Sequence, residues 1–289
     1  MKKIVVTGAT GNIGSRTVLG LAARNREGVI AFVRDPSKAS QLTAAGATLR
    51  RGTFEDAASL RAGFADADTV VLITAGGALS EQARAAIDVA RVVGVRKIVR
   101  ISSLKANSEG PTDATRQDGT TEAWIRESGL THVILRGHCF MQNLLATVAS
   151  LRGEGKFYFG VGHGKIGLID SRDIADAAVA AATSDVWDGQ TLELTGPAAI
   201  DYYAVAAAFG KELGRDVTYV PVPPSVAGET ARRFGADAWT AQVITDYCTA
   251  YAAGWGDFTT HEVARLTGRA PRSIADFARE VLAPAVRAG

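Results

Sequence analysis

Val6-Thr7-Gly8-Ala9-Thr10-Gly11-Asn12-Ile13-Gly14 is the stretch that decides the fold. It follows an apolar, β-branched run at residues 4–7 and opens a segment of helical character. In a strand-to-helix turn of this kind one glycine permits the tight bend and another lets the backbone approach a pyrophosphate. A third allows the helix to pack close to the strand. The helix N-terminus then offers unpaired N–H groups and a partial positive charge to phosphates. The spacing is G-x-x-G-x-x-G, and a glycine triplet alone is a weak signal. What makes it specific is the strand before it, the helix after it and a second strand ending about 20 residues on. The competing reading is a turn that binds nothing. On the first reading Thr7, Gly8, Thr10, Gly11, Asn12, Ile13 and Gly14 are dinucleotide contacts.

Outward from this turn, short β-branched runs alternate with amphipathic stretches. Strands are expected at residues 4–7, 29–33, 48–51, 69–74, 97–102 and 132–136. Most read as near-continuous Val, Ile and Leu, the pattern of strands covered on both faces in a parallel sheet. Helix ends are legible between them. Asp35-Pro36 pairs an N-cap with a first-turn proline, Ser80 opens a helix that stops at Gly94, and Ser128-Gly129 closes another. Strand–helix repetition of this sort predicts an α/β fold, a doubly wound parallel sheet of Rossmann type. After Arg136 the rhythm changes. Residues 153–164 read as a loop or irregular hairpin, residues 166–169 and 191–195 as further strands, and residues 173–183 as a helix between them. From Asp201 onward the pattern is mainly helical. The expected plan is a dinucleotide-binding core at residues 1–152, to which 165–195 return, and a smaller helical substrate or lid domain at 196–289.

Composition narrows the function. The 289 residues are 47% apolar and 21% charged, ordinary globular usage. Lys and Arg number 32 against 30 Asp and Glu, and without a dense basic stripe nucleic acid is not an expected partner. Two cysteines, Cys139 and Cys248, form no C-x-x-C pair, and the four histidines lack metal-ligand spacing, so no metal site is expected. The apolar run at the N-terminus ends too early for a signal peptide, and no stretch is long enough to span a membrane. A cytoplasmic protein acting on a small molecule is the expectation, with the oligomeric state left open.

The end of the second strand bears on the nucleotide. A reader of the ribose 2′-hydroxyl would be an acidic residue there; the chain has Arg34, with Lys38 one helical turn on. Two cations suit a 2′-phosphate and favour NADPH (NADP) as cofactor. A solvated strand end is the alternative for Arg34. Asp35, placed before Pro36, reads as a helix cap. Thr74, at the end of the fourth strand, is a further candidate cofactor contact.

Several segments together resemble the NmrA-like branch of the atypical short-chain dehydrogenases/reductases. They include Val6–Gly14, Val33-Arg34-Asp35-Pro36-Ser37-Lys38-Ala39, Ile101-Ser102-Ser103-Leu104 and Phe140-Met141-Gln142-Asn143. Further on come Ile169-Asp170-Ser171-Arg172-Asp173-Ile174-Ala175 and Leu266-Thr267-Gly268-Arg269-Ala270-Pro271-Arg272-Ser273, so the likeness covers nearly the whole chain. It implies a Rossmann-type core, a small C-terminal substrate domain and bound NADP(H). Members of that branch include quinone, dye and imine-type reductases, and also dinucleotide-binding regulators. The chain departs from the pattern in three places, one of them Asp118, where relatives often carry His or Tyr. Gly52 is followed by Thr53 where many members have Asp near the adenine, so Thr53 or Asp56 is the expected replacement. Leu135-Arg136 is followed by Gly137-His138 rather than proline.

Typical short-chain dehydrogenases use a Tyr-x-x-x-Lys pair with a serine, and this chain has no Tyr-x-x-x-Lys anywhere. By segment order Asp118 and Glu122 occupy that spacing. A shared proton between two buried carboxylates and a solvated acidic face are the two readings. Ser102 or Ser103, ending the fifth strand, would hydrogen-bond a substrate carbonyl or the carboxamide, or simply cap the strand. His138, directly after the sixth strand, is the leading candidate proton donor, with Asp118 second; a core histidine satisfied by backbone is the alternative. Cys139 reads as packing. Tyr247, Tyr251 and Trp255 lie at helical spacing, as core or as a lid over a flat substrate. The function expected is an NADPH-dependent reductase passing hydride to a quinone, imine or activated alkene. The alternative is a regulator that senses the dinucleotide, binds a protein partner and turns nothing over.

Overall fold

The computed structural model describes residues 2–24 and 28–288. The chain divides into two compact units. The first comprises Met1–Gly110, Ala114–Arg136 and Arg172–Glu193; the second comprises Pro111–Asp113, Gly137–Ser171 and Leu194–Gly289.

The first unit is built on β1 (Lys3–Val6), β2 (Val29–Val33), β3 (Thr48–Arg51), β4 (Ala67–Leu72), β5 (Lys97–Ser103) and β6 (Thr131–Gly137). Its helices are α1 (Asn12–Ala22), α2 (Ser40–Ala44), α3 (Ala57–Phe64), α4 (Leu79–Val92) and α5 (Asp113–Glu127). The parallel sheet has the order β3-β2-β1-β4-β5-β6-β8, where β8 is Thr191–Leu194. The strand order reverses between β1 and β4, which opens a crevice at their carboxyl ends where ligands bind in such sheets. Continuous Val/Ile runs are buried on both faces. On one, Val5, Phe32, Val70 and Ile98 pack with Leu60 and Phe64 of α3, Ile87 of α4 and Ile125 of α5. Each such side chain contributes about 1.5–3 kcal/mol on burial. The doubly wound fold is the one the sequence predicts.

The return of the chain to this sheet is fastened at the amino ends of the strands. Fully buried Lys97 pairs with Asp188 and donates to the Ser184 carbonyl at 2.8 Å, while Arg96 pairs with Asp68 and Asp185. These bonds hold the turn that leads from α7 (Ser171–Thr183) into β8.

The second unit corrects the expected boundary. After Arg136 the chain leaves the sheet, so residues 137–171 belong here and only 172–193 return to the core. The reason is visible in α6 (Val148–Glu154), whose Arg152 donates to the carbonyls of Val286 and Ala285 at the C-terminal helix. Residues 153–164 are not a hairpin. They contain β7 (Lys156–Phe159), which pairs in parallel with β9 (Thr218–Pro221). Phe157 and Phe159 drive that pairing by packing on Tyr202 and Phe209 of α8 (Tyr202–Leu213); the Phe159 and Tyr202 rings stack at 4.8 Å. Residues 166–169 form isolated bridges, Ile166 with Ile200 and Ile169 with Phe140, in place of the expected strand. Two helices follow, α9 (Pro224–Arg233) and α10 (Ala238–Ala252). Among the described residues no helix is long and apolar enough to cross a membrane.

Thr7 shows how tightly the centre of the sheet is tied. Its hydroxyl donates to the Ile73 carbonyl at 2.9 Å and accepts from the Ile73 N–H at 2.8 Å, bridging the ends of β1 and β4. Fully buried and committed to the sheet, its side chain is a clasp rather than the dinucleotide contact expected of it. Thr7→Val keeps the shape and strips Ile73 of both partners. Stability to urea is expected to fall by about 1–3 kcal/mol, the cost of leaving buried groups unsatisfied. An unchanged denaturation midpoint would show that the clasp contributes nothing.

Candidate functional site

At the head of α1, Gly8 adopts φ +56°, which L side chains rarely take, and sets the bend. Gly14 lies so close to it that an added Cβ would stand 2.2 Å from the Gly8 carbonyl oxygen. Gly11 is the N-cap and offers no side chain, so among the described residues no side chain caps the first-turn N–H groups of Asn12, Ile13 and Gly14. Gly8, Thr10, Gly11 and Asn12 are exposed, while Ile13 is buried and anchors the helix. Bare backbone donors, a favourable helix dipole and no Cβ in the approach are the features that suit a cradle for a pyrophosphate.

At the end of β2, Arg34 and Lys38 are exposed. Asp35 is the helix cap the sequence suggests. Its Oδ1 accepts from the N–H and the hydroxyl of Ser37 at 3.0 and 2.6 Å, which holds its carboxyl below the usual range. Thr53 is half-buried after β3, its N–H donating to Ser59 Oγ. Asp56 caps α3 through the Ala58 N–H, which engages one of its carboxylate oxygens.

At the carboxyl ends of β4 and β5 the hydroxyls of Thr74 and Ser103 are buried and have no hydrogen-bond partner among the described residues. Buried hydroxyls are normally satisfied, so an unpaired pair at the ligand-binding edge suits a polar ligand. Together with the cradle they suit a dinucleotide and the molecule that reacts with it.

Ser102, next to Ser103, is committed. Its hydroxyl donates to Glu122 Oε1 at 2.7 Å. It therefore has lone pairs but no hydrogen for a substrate carbonyl, which corrects the donor role expected of it and leaves it able to accept from an amide N–H. Glu122 is fully buried on α5 and takes the Arg136 guanidinium bidentately, at 2.8 Å from Nε and 2.7 Å from Nη2; Arg126 adds a third bond at 3.0 Å. Arg136 also reaches Glu193 at 2.9 Å. Burial works to lower the Arg136 pKa, but the hydrogen bonds and charges of Glu122 and then Glu193 outweigh it and raise it above its ordinary value.

Asp118, one turn before Glu122, accepts from buried Arg100 at 2.7 Å. Neither the shared proton nor the solvated face describes these carboxylates. Each has its own arginine, and Asp118, an acceptor in an ion pair, is withdrawn as a proton donor. The sequence reading missed Arg100 and Arg136. The available signal was an arginine inside the apolar run Lys97-Ile98-Val99-Arg100-Ile101, since a buried charge must be paired.

His138 is corrected as well. It is buried in the second unit, and its Nδ1 accepts from the Cys139 N–H at 2.7 Å. Nε2 therefore carries the proton and gives it to the Gly256 carbonyl at 3.0 Å. Tyr251 stacks on the ring and Phe258 tilts against it, with Trp255 and Tyr247 packed on Tyr251. His138 is a core histidine satisfied by backbone. Cys139 is inert for a similar reason: burial pushes its thiol up to about 12. Among the described residues no cluster of His, Cys, Asp or Glu is arranged to hold a metal.

The glycine turn lies at the start of a longer match. Residues 8–185 match the model of a family described as NAD(P)H-binding. This chain belongs to that family. It is 34% identical to an NAD(P)H azoreductase of Xenophilus azovorans over 96% of both chains, and 27% identical to quinone oxidoreductase 2 of Escherichia coli over 94% of this chain and 96% of the relative. The crystal structure of an E. coli NADPH-dependent quinone oxidoreductase in complex with NADPH superposes with a TM-score of 0.87 at 26% identity, covering 95% of this chain and 98% of the other. The NmrA-like, atypical short-chain dehydrogenase/reductase membership read from the motifs is borne out, and with it the Rossmann fold and an NAD(P)H-dependent oxidoreductase.

Two variants test the placement of these groups. Gly14→Ala drives a methyl into the Gly8 carbonyl and is expected to weaken NADPH binding by at least tenfold, read by fluorescence titration, with the circular dichroism spectrum unchanged. Retained affinity would make the turn a structural feature only. His138→Ala leaves the Cys139 N–H and the Gly256 carbonyl unpaired. It is expected to cost about 1–3 kcal/mol of stability and to leave NADPH affinity at the wild-type value.

Proposed function

We propose that this chain is a cytoplasmic NADPH-dependent reductase of a small aromatic or conjugated acceptor such as an azo compound, quinone, imine or activated alkene, working without a Tyr-x-x-x-Lys pair. The observation that carries this reading is the division of labour at the end of β5. Ser102 is fixed as an acceptor by Glu122, and Ser103, its neighbour, keeps an unspent hydroxyl. When bound, NADPH supplies a hydride. Ser102 would accept from the carboxamide N–H of the bound nucleotide and so orient its nicotinamide ring, with Thr74 on the same edge at β4. Ser103 donates a hydrogen bond to the acceptor atom that gains negative charge, the kind of stabilisation a preorganised donor gives to a transition state. Arg34 and Lys38 favour the 2′-phosphate form of the cofactor. Where the acceptor takes up a proton, it is drawn from water, because Asp118, Glu122 and His138 are engaged with arginines or backbone. The azoreductase and quinone oxidoreductase likenesses support an aromatic acceptor.

The test is consumption of NADPH by the purified chain against azo dyes, quinones, cyclic imines and enones. Turnover of at least one aromatic class is expected. Ser103→Ala is expected to lower kcat about tenfold to hundredfold, the worth of one hydrogen bond in the transition state, with NADPH affinity kept within about twofold. Tight binding of the oxidised dinucleotide with no turnover of any acceptor would favour the regulator instead.

A further inference from the structure

The nucleotide-binding edge holds a cation that the glycine turn and the β2 end do not account for. Arg50 and Arg51 close β3, which runs beside β2 in a register that sets Arg51 opposite Val33. The Gly52 N–H donates to the Val33 carbonyl at 3.0 Å and fixes that pairing at the point where Arg34 begins. Side chains alternate along a strand. Arg50 turns toward α3, its guanidinium donating to the carbonyls of Gly63 and Ala65 at 3.1 and 2.7 Å. Arg51 therefore points to the opposite face, where the chain from Asp35 to α2 passes. The Asp35 carboxylate registers both neighbours there, since its charge is stabilised by Lys38 and by Arg51. One oxygen of that carboxylate caps the helix through Ser37, and among the described residues neither cation forms an ion pair with it. Arg34, Lys38 and Arg51 are all exposed.

We infer that Arg51 is a third reader of the 2′-phosphate and a determinant of the preference for NADPH over NADH. The inference rests on the NADPH reading of Arg34 and Lys38. A phosphate monoester carries close to two negative charges and three acceptor oxygens, more than one guanidinium satisfies. Cations on two neighbouring strand ends and on the turn between them enclose such a group from different sides. An arginine suits this better than a lysine because its fork of donors engages two oxygens at once.

Binding of NADPH and NADH to the wild-type chain and to Arg34→Ala, Arg51→Ala and Arg51→Lys decides the matter, by fluorescence titration at fixed salt. Arg51→Ala is expected to weaken NADPH by roughly tenfold while leaving NADH within twofold, with Arg51→Lys in between. The salt dependence of NADPH binding should become shallower in Arg51→Ala, because one fewer cation meets the phosphate. If Arg34→Ala lowers the NADPH-to-NADH ratio and Arg51→Ala does not, Arg51 is no reader, while the 2′-phosphate site at β2 stands. If neither variant changes the ratio, the site itself is misplaced and both readings fall. Equal losses for the two nucleotides in Arg51→Ala would assign the side chain to the adenine and overturn the inference. Arg51 is exposed, and circular dichroism of each variant checks that the fold is kept.

Discussion

An arginine inside a sheet has to be neutralised, and β5 and β6 each carry one. Arg100 is almost fully buried and meets Asp118; Arg136 is half-buried and meets Glu122 through two parallel bonds. Removing one member of a buried pair leaves the other unpaired, at about 3–5 kcal/mol. The two pairs therefore lock α5 in rotation and height against β5 and β6. Everything at the carboxyl edge near Ser102 follows from that lock, including the direction of its hydroxyl.

The arrangement explains what became of the missing tyrosine and lysine. Their spacing on α5 is occupied by two carboxylates that serve the sheet rather than a substrate. In exchange the edge gains a serine that accepts only and a neighbouring serine whose hydroxyl is unspent. Such a site gives orientation and one hydrogen bond, and it asks little acid or base work of its side chains. Conjugated acceptors, which take hydride without deprotonation of an alcohol, match that offer. On the proposed reading the bare helix N-terminus at Gly11 and the cations beyond β2 hold the other end of the cofactor.

What the sequence showed plainly was local. The glycine turn, the β-branched strands and the cap at Asp35 each rest on residues a few positions apart, and the structure reproduces them. The errors lie where the deciding partner is distant. His138 is satisfied by Gly256, 118 residues away, and nothing near it in sequence announces that bond. The β7–β9 pairing joins segments about 60 residues apart, and the glycines flanking residues 156–159 masked a four-residue strand. The paired role of Asp118 and Glu122 needed Arg100 and Arg136 on neighbouring strands. A charge set in an apolar run was the visible clue to the first of these.

On the proposed reading hydride transfer proceeds by positioning, and any proton the acceptor takes up is drawn from water. The most direct measurement is the single-turnover rate of NADPH oxidation with a saturating aromatic acceptor, followed by the loss of reduced-nicotinamide absorbance across pH 6–8, the range in which a histidine changes charge. The account predicts a rate that stays level within about twofold across that range, since a general acid contributes about 10²–10⁴-fold and its loss would be evident. A rate that falls with a midpoint near the ordinary histidine pKa of about 6.5 would contradict it.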